Sequence, residues 1–433
     1  MTDATTTKPS IGVLGALSIG VGGIVGGGFF ATFGLTIAGA RGGTPIAFLI
    51  GGAIALATAF SYIGLTLRYP GPGGTNAFLR IAYGRGLVPA SMSVLLILSY
   101  VAIMSVYASA MASYSASYLP VEMRGVAQNV IASAAIVLLG VVNFAGAGLM
   151  ERMETFLNVG KLGVLGLFIV AGLLIGQLDW SRFEPAQWAP LSSVIATGML
   201  GFLAYEGFEL ISNASADIEN PKRTLPIALL GSVAIAIVIY FFAFLVAIGH
   251  MSFEAVAASS DFAVSATAAT FLGPFGFGLM TIGAVLASAS AINADYFGAA
   301  KLPPMLSAHE ELPSAFEREI RGQSWVSLLV IGVLALLAVN ALNIHALSAA
   351  TSGGFLVVYA AVNVAAIRLR HETGAAPFLP AIAFLLCVVA LIVMVAQFLS
   401  SSQTVASAIA VAAIVILSVL IEVVFRARHG RPD

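Results

Sequence analysis

Apolar residues gather along this chain in twelve stretches of about twenty residues or more, the length a helix needs to cross a bilayer, separated by charged or proline-bearing breaks. They run near 10–38, 44–68, 87–118, 125–144, 155–178 and 190–215, then near 225–249, 272–302, 323–343, 346–369, 376–400 and 403–426. In lipid each spanning segment must satisfy its own backbone hydrogen bonds, which a helix does alone. The pattern predicts an all-α membrane protein of about twelve spans, with both termini on one side.

Composition reinforces this. The hydrophobic share is 59% and the charged share 9%, against roughly 25% charged in soluble domains, too little to build a solvated shell. Lys8, Arg68, Arg80, Arg85, Arg152, Lys222, Arg223, Lys301, Arg318, Arg321, Arg368, Arg370, Arg426, Arg428 and Arg431 fall on one side of a twelve-span chain, and Arg41, Arg124 and Arg182 on the other. The positive-inside rule then makes both termini cytoplasmic, in a multi-pass protein of the cell membrane. A formal net charge of −1 with thinly spread bases excludes a nucleic-acid partner. The single Cys387 excludes an internal disulfide, and the five histidines lie apart without metal-ligand spacing. With no local nucleophile motif either, the expectation is no metal, no cofactor and no enzyme. The start, MTDATTTK, does not resemble a signal peptide, so the first apolar stretch is expected to remain in the mature chain.

Two stretches carry residues that do not belong in a plain span. The first reads IGVLGALSIGVGGIVGGGFFATFG, with Gly22, Gly23, Gly26, Gly27 and Gly28 near its middle. Each helix-interior glycine costs about 1 kcal/mol, so the run is either an unwound segment or a close-packing surface of the small-xxx-small kind. A dinucleotide loop fails because no strand precedes GGGFFA. The sixth stretch reads GFLAYEGFELISNASADIENP and sets Glu206, Gly207 and Glu209 about halfway along. An acid at a span centre costs about 2.5–3.5 kcal/mol on insertion scales, so such residues usually face a cavity; a span shifted toward the interface is the alternative. Breaks in spans one and six, five helices apart, are what an inverted repeat of two five-helix halves produces, with a site at their interface. Half-helix N-termini would face an anionic group and opposing carbonyls a cation, a fit for a zwitterion.

At these residues the sequence resembles the amino acid-polyamine-organocation superfamily of transporters, with the leucine-transporter-like fold. VGGGFF (Val25–Phe30) is similar to the family's IGSGIF, FLAYEGFE (Phe202–Glu209) to its helix-six break, and DIENPKRTLP (Asp217–Pro226) to its loop before helix seven. Gly27 stands where the family has serine, and Asn76 in PGPGGTNAF where it has tyrosine, which bears on side-chain contacts more than on transport. The resemblance implies that the amides of Gly26, Gly27 and Gly28 take a substrate carboxylate. It implies equally that the carbonyls of Ile24, Phe202 and Ala204 take an amine, with Phe202 as gate aromatic and Tyr205, Glu206 and Gly207 beside them. Tyr100, Met104, Tyr107 and Met111 share one face of the third helix; Tyr100 is the candidate for substrate contact, with packing as the alternative.

Lys161 is the only base well inside a stretch. It either snorkels to the interface or, as in proton-coupled members of the family, holds the coupling site. The eighth stretch offers Ser288 and Ser290 in LASASAIN but no adjacent hydroxyl pair of the sodium-binding kind. Asp295 and Glu209 are candidate gate residues. The expected organisation is a tail (1–9), a ten-helix core (10–370, halves about 10–178 and 190–370), a peripheral helix pair (371–426) and a second tail (427–433). The expected function is secondary transport of small amino acids by alternating access, as proton symport. An amine or polyamine carrier or exchanger is the alternative, and a ligand-binding membrane receptor or scaffold the alternative outside transport; oligomeric state is left open.

Overall fold

The computed structural model describes residues 11–429 other than 72, 146, 321, 322 and 401–403. Lys8, Arg321, Arg431, the tail 1–9 and residues 430–433 lie outside the described residues, as does the side chain of Arg152. Among the described residues ten helices are long and apolar enough to cross a membrane, or eleven if Val13–Ile24 and Gly27–Ala40, bent by 47°, are one span. Trp325–Ala341, of 17 residues, stands at the ninth expected stretch, at the lower limit of about 17 for a crossing.

The spans in chain order begin with that bent pair, followed by Thr44–Arg68, Leu87–Ala116, Val121–Ala145 and Ala147–Leu174. The sixth is Leu191–Phe202 with Leu210–Asn213, and the seventh to ninth are Pro221–His250, Ala263–Ala300 and Trp325–Ala341. Ile344–Arg368, Phe378–Leu399 and Val405–His429 complete the series. Ala263–Ala300 is two helices meeting at a kink: Gly273 (φ 62°, ψ −152°) is not helical, and the longer helix runs on from Pro274, in keeping with the expected start near 272. Among the described residues four short α-helices lie outside the expected stretches: Gly74–Tyr83, Phe253–Ala258, Leu302–Ala308 and Arg370–Thr373. The described strands are one two-residue pair, Glu319–Ile320 against Gln323–Ser324.

Burial separates interior from rim. The third, sixth and tenth spans have 78%, 83% and 72% of their apolar windows inside the protein, whereas the fourth, eleventh and twelfth have 22%, 28% and 28%. The rim helices turn Val137, Leu138, Leu385, Ile392 and Leu420 outward, an exterior that lipid accommodates and water would not. Inside, Phe29 stacks on Tyr240 at 4.7 Å and Phe33 on Phe244 at 4.5 Å, fastening the first span to the seventh.

The glycines of the first span divide between the two readings offered by the sequence. Gly20, Gly22 and Gly23 are packing positions: an added Cβ would stand 2.6 Å from Ile211, 2.7 Å from Asn158 and 2.8 Å from the Gly207 carbonyl oxygen. Val25 and Gly26 leave the helical conformation, and the helix restarts at Gly27. Gly23 and Gly207 thus let the backbones of spans one and six touch beside their breaks.

Candidate functional site

At the first break the helical bonds run out with the Val25 amide on the Val21 carbonyl (2.8 Å) and the Gly26 amide on that of Ile24 (2.8 Å). The second half begins at Gly27 behind an extended Gly26, and no side chain caps it. Its first amides therefore face outward with the positive end of the helix dipole. A Cβ on Gly27 would stand 2.8 Å from Tyr107 and 2.9 Å from Ser288 Oγ, which places both side chains against this helix start.

At the sixth span the α-helix stops at Phe202, one 3₁₀ turn follows over Leu203–Tyr205, Glu206 is extended, and Gly207 takes φ +110°. Such a φ suits glycine. Glu209 braces this break. Its Oε2 accepts the Gly207 amide (2.9 Å) and lies 2.9 Å from the Tyr359 hydroxyl, while Oε1 accepts from Tyr100 (3.3 Å). Glu206 is bonded differently: Oε2 accepts from Tyr359 at 2.6 Å, and Oε1, in a residue 2% exposed, has no hydrogen-bond partner.

A nearly closed cavity lies between the breaks, lined by Gly23, Tyr100, Ile103, Tyr107, Glu206, Gly207, Glu209, Leu210, Ala291, Ala294, Asp295 and Phe355. It leaves ≈ 10 Å³ for the centres of water-sized spheres, about one water's worth. Two larger grooves of ≈ 300 and ≈ 440 Å³ lie among rim helices, and their walls are almost wholly apolar. A substrate site needs convergent polar groups; the small central cavity has them beside both breaks, while a further groove of ≈ 250 Å³ lined by Ser109, Ser113, Gln128, Asn129, Asp261 and Asn343 includes no residue of either break.

The structure gathers some expected residues at this cavity and directs others elsewhere. Tyr100, Glu206, Gly207, Glu209 and Asp295 line it. Gly26, Gly27 and Gly28 adjoin it through Ala291 and Tyr107. Phe202 is fully buried edge-on to Tyr359 at 6.0 Å, and the Tyr205 hydroxyl turns to the Phe48 carbonyl at 3.0 Å. Ile24 and Ala204 are brought together by a residue outside the expected set: the Tyr240 hydroxyl stands 2.9 Å from the Ile24 oxygen and 2.8 Å from the Ala204 oxygen. One donor is shared between both carbonyls.

Lys161 does not reach the membrane surface. It is 1% exposed, and its Nζ donates to the Gly22 carbonyl at 2.7 Å and to Ser290 Oγ at 3.0 Å, tying the fifth span to the first and eighth. Asn158, one turn earlier, packs on Gly22. Tyr240, Tyr359 and Asn158 were not singled out from the sequence. The available signal was that a buried tyrosine hydroxyl or carboxamide inside an apolar span must find a partner.

Broken spans around a buried polar site are compatible with a membrane transporter, and the comparisons show that class. The family model for amino acid permease matches residues 11–420. An uncharacterized protein of Methanocaldococcus jannaschii, MJ0609, is 32% identical over 373 residues, covering 86% of this chain and 85% of its own. The inner membrane transport protein YbaT of Escherichia coli is 31% identical over 383 residues (87% of each chain), and the methylthioribose transporter of Bacillus subtilis 24% over 396 (85% and 84%). The chain belongs to the amino acid permease family; it is a multi-pass membrane transporter and not an enzyme.

Proposed function

We propose that this chain carries small amino acids across the cell membrane by alternating access, as a proton symporter with cytoplasmic termini. The observation that carries the reading is the Lys161 contact: a buried Nζ donating at 2.7 Å to the Gly22 carbonyl, three residues before the first break. In this mechanism protonated Lys161 holds the first and eighth spans together. Loss of its proton weakens that tie and lets the two spans part on one side. Binding of substrate and proton from the other side favours the closed arrangement, so the two are coupled through their differential stability in the two states.

The uncapped helix start at Gly27 supports carboxylate recognition, since outward amides and the dipole both favour an anion. Two backbones meeting at Gly23 and Gly207 support an inverted-repeat core with the site at its centre. The cytoplasmic placement of the termini rests on the segregation of lysine and arginine. One observation favours an amine carrier as second reading: Glu206, Glu209 and Asp295 all line the cavity. Uptake of labelled amino acids and amines by proteoliposomes, with and without an imposed pH gradient, tests both readings.

A further inference from the structure

The backbone carbonyls of the two breaks are not the full set of acceptors that the site offers an amine. In an unwound span, free carbonyl oxygens are the natural acceptors for an ammonium group. Here the oxygens of Ile24 and Ala204, one from each break, already share the Tyr240 hydroxyl. Tyr240 is fully buried in the seventh span, stacked on Phe29 and edge-on to Phe48 and Tyr205. Three aromatic and two hydrogen-bond contacts fix it, so the clasp is part of the packed core.

The cavity carries a different acceptor. The two acids of the sixth span are bonded so unequally that their roles separate. Glu209 has both oxygens taken, one of them by the backbone of its own break. Glu206 has one oxygen fixed by Tyr359 and the other, Oε1, buried in the cavity wall with no donor. None of the ion pairs among the described residues involves Glu206. A buried carboxyl oxygen without a donor is costly, by roughly 1–3 kcal/mol or more for a charged group. A ligand N–H at that oxygen removes the cost. Tyr359 holds the carboxyl in place for it, and Tyr107 and Ala291 connect this wall to the glycine amides.

We infer that Glu206 receives the ammonium group of the transported molecule, with Oε1 as acceptor, Tyr359 as the residue that positions the carboxyl, and Glu209 as a brace of the break. The ligand class is the protonated primary amine, amino acid or simple amine alike. This deepens the transport reading and rests on it.

The test is ligand-induced thermal stabilisation of the purified protein by the twenty protein amino acids, their N-acetyl derivatives, and short primary alkylamines. Compounds with a free amine are expected to bind, and N-acetylation of any amino acid that binds is expected to abolish its effect. Glu206→Gln, which keeps the shape and removes the charge, is expected to weaken the bound compounds at least tenfold. A smaller loss in the folded variant overturns the inference and leaves the transport reading standing, as does N-acetyl binding equal to that of the free amine. Should Glu206→Gln fail to fold, the comparison of free and acetylated amines on the unaltered protein decides alone. If no compound in the panel stabilises the unaltered protein, both the inference and the transport reading are contradicted.

Discussion

Nζ of Lys161 sits 2.7 Å from the carbonyl oxygen of Gly22, and its second hydrogen bond, to Ser290 Oγ at 3.0 Å, joins the first span to the eighth through a residue of the fifth. A single side chain thus links three spans beside the first break. Replacing it with a group of similar size that cannot change charge should leave the fold and lose the coupling.

The meeting of Gly23 and Gly207 sets the closest backbone approach between the two breaks. A Cβ on Gly207 would stand 2.5 Å from the Gly23 carbonyl carbon, at a φ of +110° that L side chains rarely adopt. Gly207→Ala is expected to lower unfolding free energy by about 2 kcal/mol or more, from backbone strain of roughly 1–3 kcal/mol plus the overlap. Gly163→Ala, at a position with nothing within 4 Å, should change it by less than about 1 kcal/mol. Thermal unfolding in detergent compares the two, and equal effects would contradict the close approach.

Gly27 faces Tyr107 and Ser288 rather than backbone. Gly27→Val should therefore insert and fold while losing ligand binding, because the new side chain fills the space in front of the helix amides. Monodisperse protein without ligand-induced stabilisation is the expected result. Retained affinity would make this glycine a packing residue only.

Tyr240→Phe removes one hydroxyl and leaves two buried carbonyls, those of Ile24 and Ala204, without their shared donor. The expected cost is about 1–3 kcal/mol of stability, read from denaturant or thermal unfolding. A loss below about 0.5 kcal/mol would show that the clasp is not a structural bond of the core.

Much of this arrangement was legible in the sequence, for reasons that differ by element. Spans such as Thr44–Arg68 were readable to the residue because each is a continuous apolar run between charges. The breaks were readable because glycines at 26–28 and acids at 206 and 209 are costly in plain spans. Gly74–Tyr83 was not found, since ten amphipathic residues with Phe78 and Leu79 buried carry too little apolar length to register as a span. The start of the eighth span near 272 was readable because Gly273 and Pro274 interrupt the helix there, whereas the separate helical segment before them, 263–272, was not marked. Tyr240 and Tyr359 escaped notice because their partners lie far along the chain, at Ile24 and Ala204 for one and at Glu206 and Glu209 for the other. Glu209, a candidate gate residue, accepts the Gly207 amide and lies within hydrogen-bond distance of Tyr100 and Tyr359, partners that its place in the sequence did not disclose.

The measurement that bears most directly on the proposed mechanism is transport by Lys161→Gln in proteoliposomes, with whichever labelled amino acid or amine stabilises the unaltered protein. Unaltered protein should concentrate that compound when the pH gradient is imposed and lose the accumulation when a proton ionophore is added. The variant should still bind and exchange labelled for unlabelled compound, with accumulation reduced to the level of equilibration. Accumulation by Lys161→Gln against a gradient, with the ionophore sensitivity of the unaltered protein, would contradict the account and move the coupling to Glu206, Glu209 or Asp295.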